Sequence, residues 1–239
     1  MTTDRAPSRL PTRRRARPTR VLIVEDERLL AELLADVVAE EEDMLVVGVA
    51  ATVAEATALA RQRPDVVLMD YRLPDGTGAQ ATRAIKARVA RTRVVMLSAL
   101  HDDETLMDSI EAGADGYLTK DRAVQDIVAA VRAAQAGETL LPRSVILSIA
   151  QRVAASRVKG ETKPHIVPLT GRELEILQGF ANGQSQVEIG ERLSVKPNTV
   201  RTHVDHILRK LGVHSKLEAV AFALRHNLIE SPREDERRR

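Results

Sequence analysis

Three short apolar runs in the first half of the chain each end in groups that carry charge. Val21-Leu22-Ile23-Val24 runs into Glu25-Asp26, Val66-Val67-Leu68-Met69 into Asp70, and Gly116-Tyr117-Leu118-Thr119 into Lys120. Continuous apolar runs of this length are what strands buried on both faces require. Ligands of open parallel sheets sit beyond the carboxyl ends of the strands. Three carboxylates and one ammonium therefore converge at one edge of a sheet, an arrangement that makes electrostatic sense around a cation and an anion together. Mg²⁺ and a phosphoryl group meet that description. Asp70 is the expected phosphoacceptor, because a rigid strand end can hold a carboxylate in line for attack. Asp26 is the expected main Mg²⁺ ligand, with Glu25 acting directly or through water and the backbone carbonyl of Arg72 completing the protein's share. Mg²⁺ keeps several waters in its octahedral shell, so a few carboxylates suffice. The metal and Lys120 would neutralise charge on the transferring group, the main contribution a protein makes to phosphoryl transfer. Arg72 stands where Asp-x-Asp phosphatases carry their second acid, so the chain is not expected to be an enzyme.

The elements that must position these groups alternate. Strands are predicted near 20–25, 45–50, 66–70, 93–98 and 115–118, and helices near 28–41, 53–62, 77–88, 102–112 and 121–136. Pro64, Pro74-Asp75-Gly76 and Gly113 punctuate the joins, and Gly137 follows the last helix where a C-terminal cap belongs. Five β/α units of this kind build a doubly wound α/β domain around a five-stranded parallel sheet.

Beyond residue 138 the pattern changes. Val145, Ile146, Ile149 and Val153 have helical spacing and predict a linker helix, followed by a tether rich in Lys, Gly and Pro up to residue 168. After it come four short helices, near 170–181, 185–193, 197–211 and 215–226. Thr170 with Glu173 and Ser185 with Glu188 are capping-box pairs. Pro197 falls at the first position of the third helix, where its missing amide is harmless. Two helices joined by a tight turn, the second of them basic, form a helix-turn-helix signature. In that second helix Val200, Val204, Ile207 or Leu208, and Leu211 recur at core spacing. The division is residues 1–19, a basic arm with no expected order; 20–137, the α/β domain; 138–168, linker helix and tether; 169–229, a small all-α four-helix domain; and 230–239, a tail.

Charge follows the same division. The net charge of +2 conceals seven Arg against one acid in residues 1–20, 12 basic against 22 acidic residues in 21–140, and 17 basic against 11 acidic in 141–239. An acidic half calls for a cation or a basic protein, and a basic half for a polyanion. The absence of cysteine excludes disulfides and thiolate metal sites and suits a reducing cytoplasm. No apolar run approaches the roughly 20 residues that span a bilayer, so no membrane association is expected.

Both halves resemble known domains. With Glu25-Asp26, Asp70, Leu73-Pro74-Asp75-Gly76, Ser98 closing Val94-Val95-Met96-Leu97, and Lys120, residues 20–137 resemble the receiver domain of two-component response regulators. The resemblance implies that Ser98 is a hydroxyl switch, Tyr117 an aromatic switch and Lys120 the group that contacts the phosphoryl. Asp121 stands after Lys120 where many receivers carry Pro. Leu169-Thr-Gly-Arg-Glu173, Gly183-Gln-Ser185, Thr199-Val-Arg201-Thr-His203 and Lys210-Leu-Gly-Val213 resemble the LuxR-type helix-turn-helix, and the pair of domains resembles the NarL/FixJ class. By family position Arg201, Thr202 and Asp205 would face base edges, and Lys196, Asn198, Thr199, His203, Arg209 and Lys210 phosphates. Val187 and the acidic Asp205 depart from residues common in that family.

The class implies a transcription factor phosphorylated on Asp70 by a sensor histidine kinase, with phosphorylation controlling a homodimer on double-stranded promoter DNA. A DNA-binding regulator that works without phosphorylation, and a receiver that acts as a protein-interaction module, are the alternatives.

Overall fold

The computed structural model describes residues 17–98, 103–138 and 168–231. The linker helix expected around 145–153, most of the tether, residues 1–16 of the arm and 232–239 of the tail lie outside the described residues.

The first domain runs β1 (Thr19–Val24), α1 (Arg28–Ala39), β2 (Met44–Ala50), α2 (Val53–Leu59), β3 (Val66–Asp70), the short β4 (Arg72–Leu73) and β5 (Gly76–Thr77), α3 (Gly78–Arg88), β6 (Arg93–Ser98), α4 (Asp103–Glu111), β7 (Gly116–Thr119) and α5 (Lys120–Ala136). The five long strands form one parallel sheet in the order β2-β1-β3-β6-β7. Residues 21–24 and 66–69 have no solvent exposure, because alternate side chains enter two separate cores. Leu22, Val24, Val67, Met69, Val94 and Met96 pack on one face with Ala56, Ile85 and Ile110, and so with α2, α3 and α4. Val21, Ile23, Val66, Leu68, Val95 and Leu97 pack on the other with Leu34, Val38, Ile127 and Val131 of α1 and α5. The strand order reverses direction at β1/β3, which is where a ligand crevice opens in such sheets.

α1 stops at Ala39, two residues short of the sequence expectation. The residues that follow, Glu40-Glu41-Glu42-Asp43, would set four negative charges against the negative pole of the helix. Arg132 of α5 collects two of them, bonding Glu41 at 2.5 Å and Asp43 at 2.8 Å. The hairpin β4–β5, which pairs Arg72 with Thr77 and Leu73 with Gly76, has no counterpart in the predicted elements. Its tip places the Asp75 carboxylate on the Val53 and Ala54 amides at 2.7 and 3.1 Å, satisfying two unpaired donors at the start of α2.

At the amino end of the sheet, Asp115 gathers a buried network. Lys86 reaches it at 2.5 Å, Arg93 at 2.8 Å and the Val94 amide at 3.0 Å, while the Asp115 amide donates to the Val94 carbonyl at 2.7 Å.

The second domain comprises α6 (Gly171–Ala181), α7 (Gln186–Arg192), α8 (Pro197–Leu211) and α9 (Lys216–Arg225). Both predicted capping boxes form, with Thr170 and Glu173 at α6 and Ser185 and Glu188 at α7. Pro197 opens α8 and Gly212, in the left-handed region, closes it. Val200, Val204, Ile207 and Leu211 are buried against Ile176, Phe180, Ile189, Leu217 and Val220, so Ile207 is the core residue of the Ile207/Leu208 pair.

The two domains touch. The Gly137 carbonyl, at the end of α5, accepts hydrogen bonds from Gln186 Nε2 at 2.7 Å and from Lys216 Nζ. α9 lies against α4, with Arg225 bonded to Glu111 at 3.1 Å. Burial pulls the Lys216 amine down to about 7, with the Arg93 charge adding to the effect.

Candidate functional site

The carboxyl ends of β1, β3 and β7 meet in one pocket. Glu25 and Asp26 follow β1, Asp70 is the last residue of β3, and Lys120 follows β7. Glu25, Asp26 and Asp70 each offer an oxygen within 4.8 Å of the other two. Glu25 and Asp70 are buried, whereas Asp26 is open to solvent.

Lys120 Nζ donates to Glu25 Oε1 at 2.7 Å and to Asp70 Oδ2 at 2.9 Å. The Arg72 amide donates to Asp70 Oδ1 at 3.3 Å. Burial raises the pKa of both carboxyls above the ordinary values; the Lys120 hydrogen bonds oppose this without cancelling it, and the Asp70 charge adds to the rise at Glu25. Burial pulls Lys120 down, but its bonds to the two carboxylates outweigh this and hold it above the usual lysine value.

Glu25 Oε2 is buried and has no hydrogen-bond partner among the described residues. An orphaned carboxylate oxygen is costly unless a cation completes it. With the exposed Asp26 and one oxygen of Asp70 beside it, the donor set is all oxygen and suits a hard cation such as Mg²⁺.

Gly78 holds this edge together. A Cβ there would sit 2.1 Å from the Asp70 carbonyl oxygen, so only glycine lets the start of α3 press against the backbone of β3. Its amide donates to the Tyr71 carbonyl at 2.7 Å.

In the second domain, α8 has one apolar and one polar face. Lys196, Asn198, Thr199, Arg201, Thr202, Asp205 and Arg209 are exposed, and His203 is half-buried. Lys210 is committed elsewhere: its Nζ bonds Glu173 Oε2 at 2.7 Å and the Pro168 carbonyl at 3.3 Å. Its expected phosphate contact therefore competes with an ion pair internal to the domain.

Residues 21–132 match the family model described as the response regulator receiver domain, and residues 167–223 the model of bacterial regulatory proteins of the luxR family. The transcriptional regulatory protein YxjL of Bacillus subtilis is 34% identical over 212 residues, 88% of this chain and 97% of that protein. The response regulator protein VraR of Staphylococcus aureus has the same identity over 88% of this chain and 99% of its own. The chain is a response regulator of the NarL/FixJ class. A LuxR-family response regulator from Aurantimonas superposes with a TM-score of 0.52 at 29% identity, over 57% of this chain and 99% of its own. At 22% identity the RcsB response regulator of Salmonella typhimurium, with a TM-score of 0.52 over 89% of this chain and 99% of its own, shares the fold. This response regulator is thus a transcription regulator built from a receiver and a LuxR-type DNA-binding domain. Among the described residues, no helix is long and apolar enough to cross a membrane.

In the receiver, the four charged residues singled out from sequence come together. Ser98, 5% exposed, ends the strand beside β3. Tyr117 is only 2% exposed, so its ring lies inward in this state. Sequence reasoning missed Gly78, Tyr71 and the hairpin that carries Arg72. The closely spaced glycines Gly76 and Gly78 were the available signal for the first.

Proposed function

We propose that Asp70 accepts a phosphoryl group from the histidine of a sensor kinase, and that this controls pairing of two copies on promoter DNA. The observation that carries the reading is Asp70 itself: a buried carboxylate at the sheet's switch point, within 4.8 Å of two others and bonded to Lys120 at 2.9 Å. A carboxylate oxygen forms the new P–O bond as the P–N bond of the donor breaks. The imidazole leaves with that electron pair and takes up a proton. Asp26, Asp70, Glu25 and the Arg72 carbonyl would hold Mg²⁺, which supplies charge neutralisation on the phosphoryl oxygens. Lys120 leaves its shared position between the carboxylates to bond a phosphoryl oxygen, and the Ser98 hydroxyl donates to another.

For the DNA-binding domain, Arg201, Thr202 and Asp205 on the exposed face of α8 are assigned to base edges. Lys196, Asn198, Thr199, His203 and Arg209 are assigned to phosphates, with Lys210 joining them on release from Glu173. A dimer would span half-sites one helical turn apart, about 10 base pairs.

The test is intact-mass measurement after incubation with acetyl phosphate and Mg²⁺, run beside DNA titrations on the same samples. One phosphoryl adduct on wild type, none on Asp70→Asn, and tighter operator binding only for the adduct are expected. Tight binding with no adduct would defeat the reading.

A further inference from the structure

The residue after the phosphoacceptor is tied at three points. The Tyr71 amide donates to the Leu97 carbonyl at 3.0 Å, one residue before Ser98, and its own carbonyl accepts from Gly78. Its hydroxyl crosses to α4 and donates to Asp108 Oδ2 at 3.1 Å. The other oxygen of Asp108 is held by Arg83 of α3 at 2.6 Å. One turn further along α4, Glu111 bonds Arg225 of the DNA-binding domain.

We propose that Tyr71 is the strut that transmits the state of Asp70 to α4, and through the Glu111–Arg225 pair to the docked DNA-binding domain. The inference rests on Asp70 being the phosphoacceptor. Tyr71 is bonded covalently to Asp70 and by hydrogen bond to the residue preceding Ser98, the two groups that the phosphoryl draws together. Any closing of Ser98 on Asp70 therefore moves the Tyr71 backbone, and the rigid ring carries that motion to the middle of α4. The buried Tyr117 is a separate device, as its ring lies in the core under β7 while that of Tyr71 is half-buried at the rim.

Tyr71 is a positioning residue, and its removal should loosen α4 while leaving the phosphorylation chemistry intact. A hydrogen bond to a carboxylate biases a local equilibrium by about tenfold, less at a partly exposed rim. Hydrogen exchange of the full chain, with and without acetyl phosphate and Mg²⁺, reads this directly. Wild-type protein should lose protection over Asp103–Glu111 and Lys216–Arg225 on phosphorylation. Tyr71→Phe should take up the same adduct, exchange about fivefold faster in both segments beforehand, and change little further when phosphorylated. Asp108→Asn should reproduce the effect, and Arg225→Ala should uncouple the second segment's response while α4 still responds.

Unaltered exchange in both segments of Tyr71→Phe and Asp108→Asn, in the presence of a normal adduct, would overturn the strut. Failure of wild type to take an adduct would instead overturn the phosphoacceptor reading, and the strut would fall with its input. The mass measurement separates the two failures.

Discussion

Lys120 holds two buried carboxylates at 2.7 and 2.9 Å, with Glu25 fully buried, Asp70 4% exposed and Lys120 itself 19% exposed. Lys120→Met removes the ammonium and keeps most of the stem, so what is lost is charge. Deleting one partner of a buried ion pair costs about 3–5 kcal/mol. The partial exposure of Lys120 and the open side of the pocket at Asp26 argue for the lower end, about 3 kcal/mol at neutral pH. The cost must depend on pH. Burial already raises Glu25 and Asp70 in the folded state, and losing the opposing hydrogen bonds raises them further. A carboxyl whose folded pKa lies above its unfolded value contributes stability that is full at low pH and is lost as pH rises through the folded pKa. The deficit of the variant should therefore be small near pH 4 and widen toward pH 8, and millimolar Mg²⁺ should narrow it by supplying the missing positive charge. Urea unfolding followed by tyrosine fluorescence isolates the effect, because the chain has no Trp and its two Tyr, Tyr71 and Tyr117, both lie in the receiver. A deficit below about 1 kcal/mol, or one indifferent to pH, would refute this account of the pocket.

Gly78→Ala should cost about 3 kcal/mol in the same assay and abolish the phosphoryl adduct, because its Cβ meets backbone rather than a flexible side chain. Arg201→Ala should weaken operator binding by about 1–3 kcal/mol and relax preference at one base pair. Arg209→Ala should weaken all sequences alike and reduce the salt slope by about 1, both read by anisotropy titration. Burial pushes Glu173 up, but its bonds from Lys210 and Thr170 hold it below the ordinary value of 4.5. Its contribution is therefore present above that value and lost as pH falls through the lower, folded one. Glu173→Gln should cost the DNA-binding domain about 2 kcal/mol at pH 7, with the gap from wild type closing below pH 4 in thermal melts followed by helical circular dichroism.

The charged strand ends were legible because strands buried on both faces must be apolar throughout, so the first charge in each run marks its exit from the sheet. The caps at Thr170 and Ser185 were legible because their partners lie three residues away. What was hidden depends on contacts between residues distant in the chain. Nothing near Lys210 announces that Glu173, 37 positions earlier, claims its ammonium. Periodicity cannot see a hairpin of two-residue strands, so the setting of Arg72 went unread. The inward packing of Tyr117 likewise depends on side chains from other strands and helices. The docking of α9 on α4 is a matter of surface fit, to which hydrophobic spacing is blind.

The network around Asp115 ties the amino end of the sheet together. Lys86 from α3, Arg93 and Val94 from β6, and Asp115 at the entry to β7 are bonded together at the opposite end of the strands from the Asp70 pocket. Separating these partners would strand a buried charge, so α3, β6 and β7 are held together there as one unit. Asp115→Asn would leave Lys86 an unpaired buried charge at the end of the strands opposite Asp70, costing the receiver stability without touching the pocket.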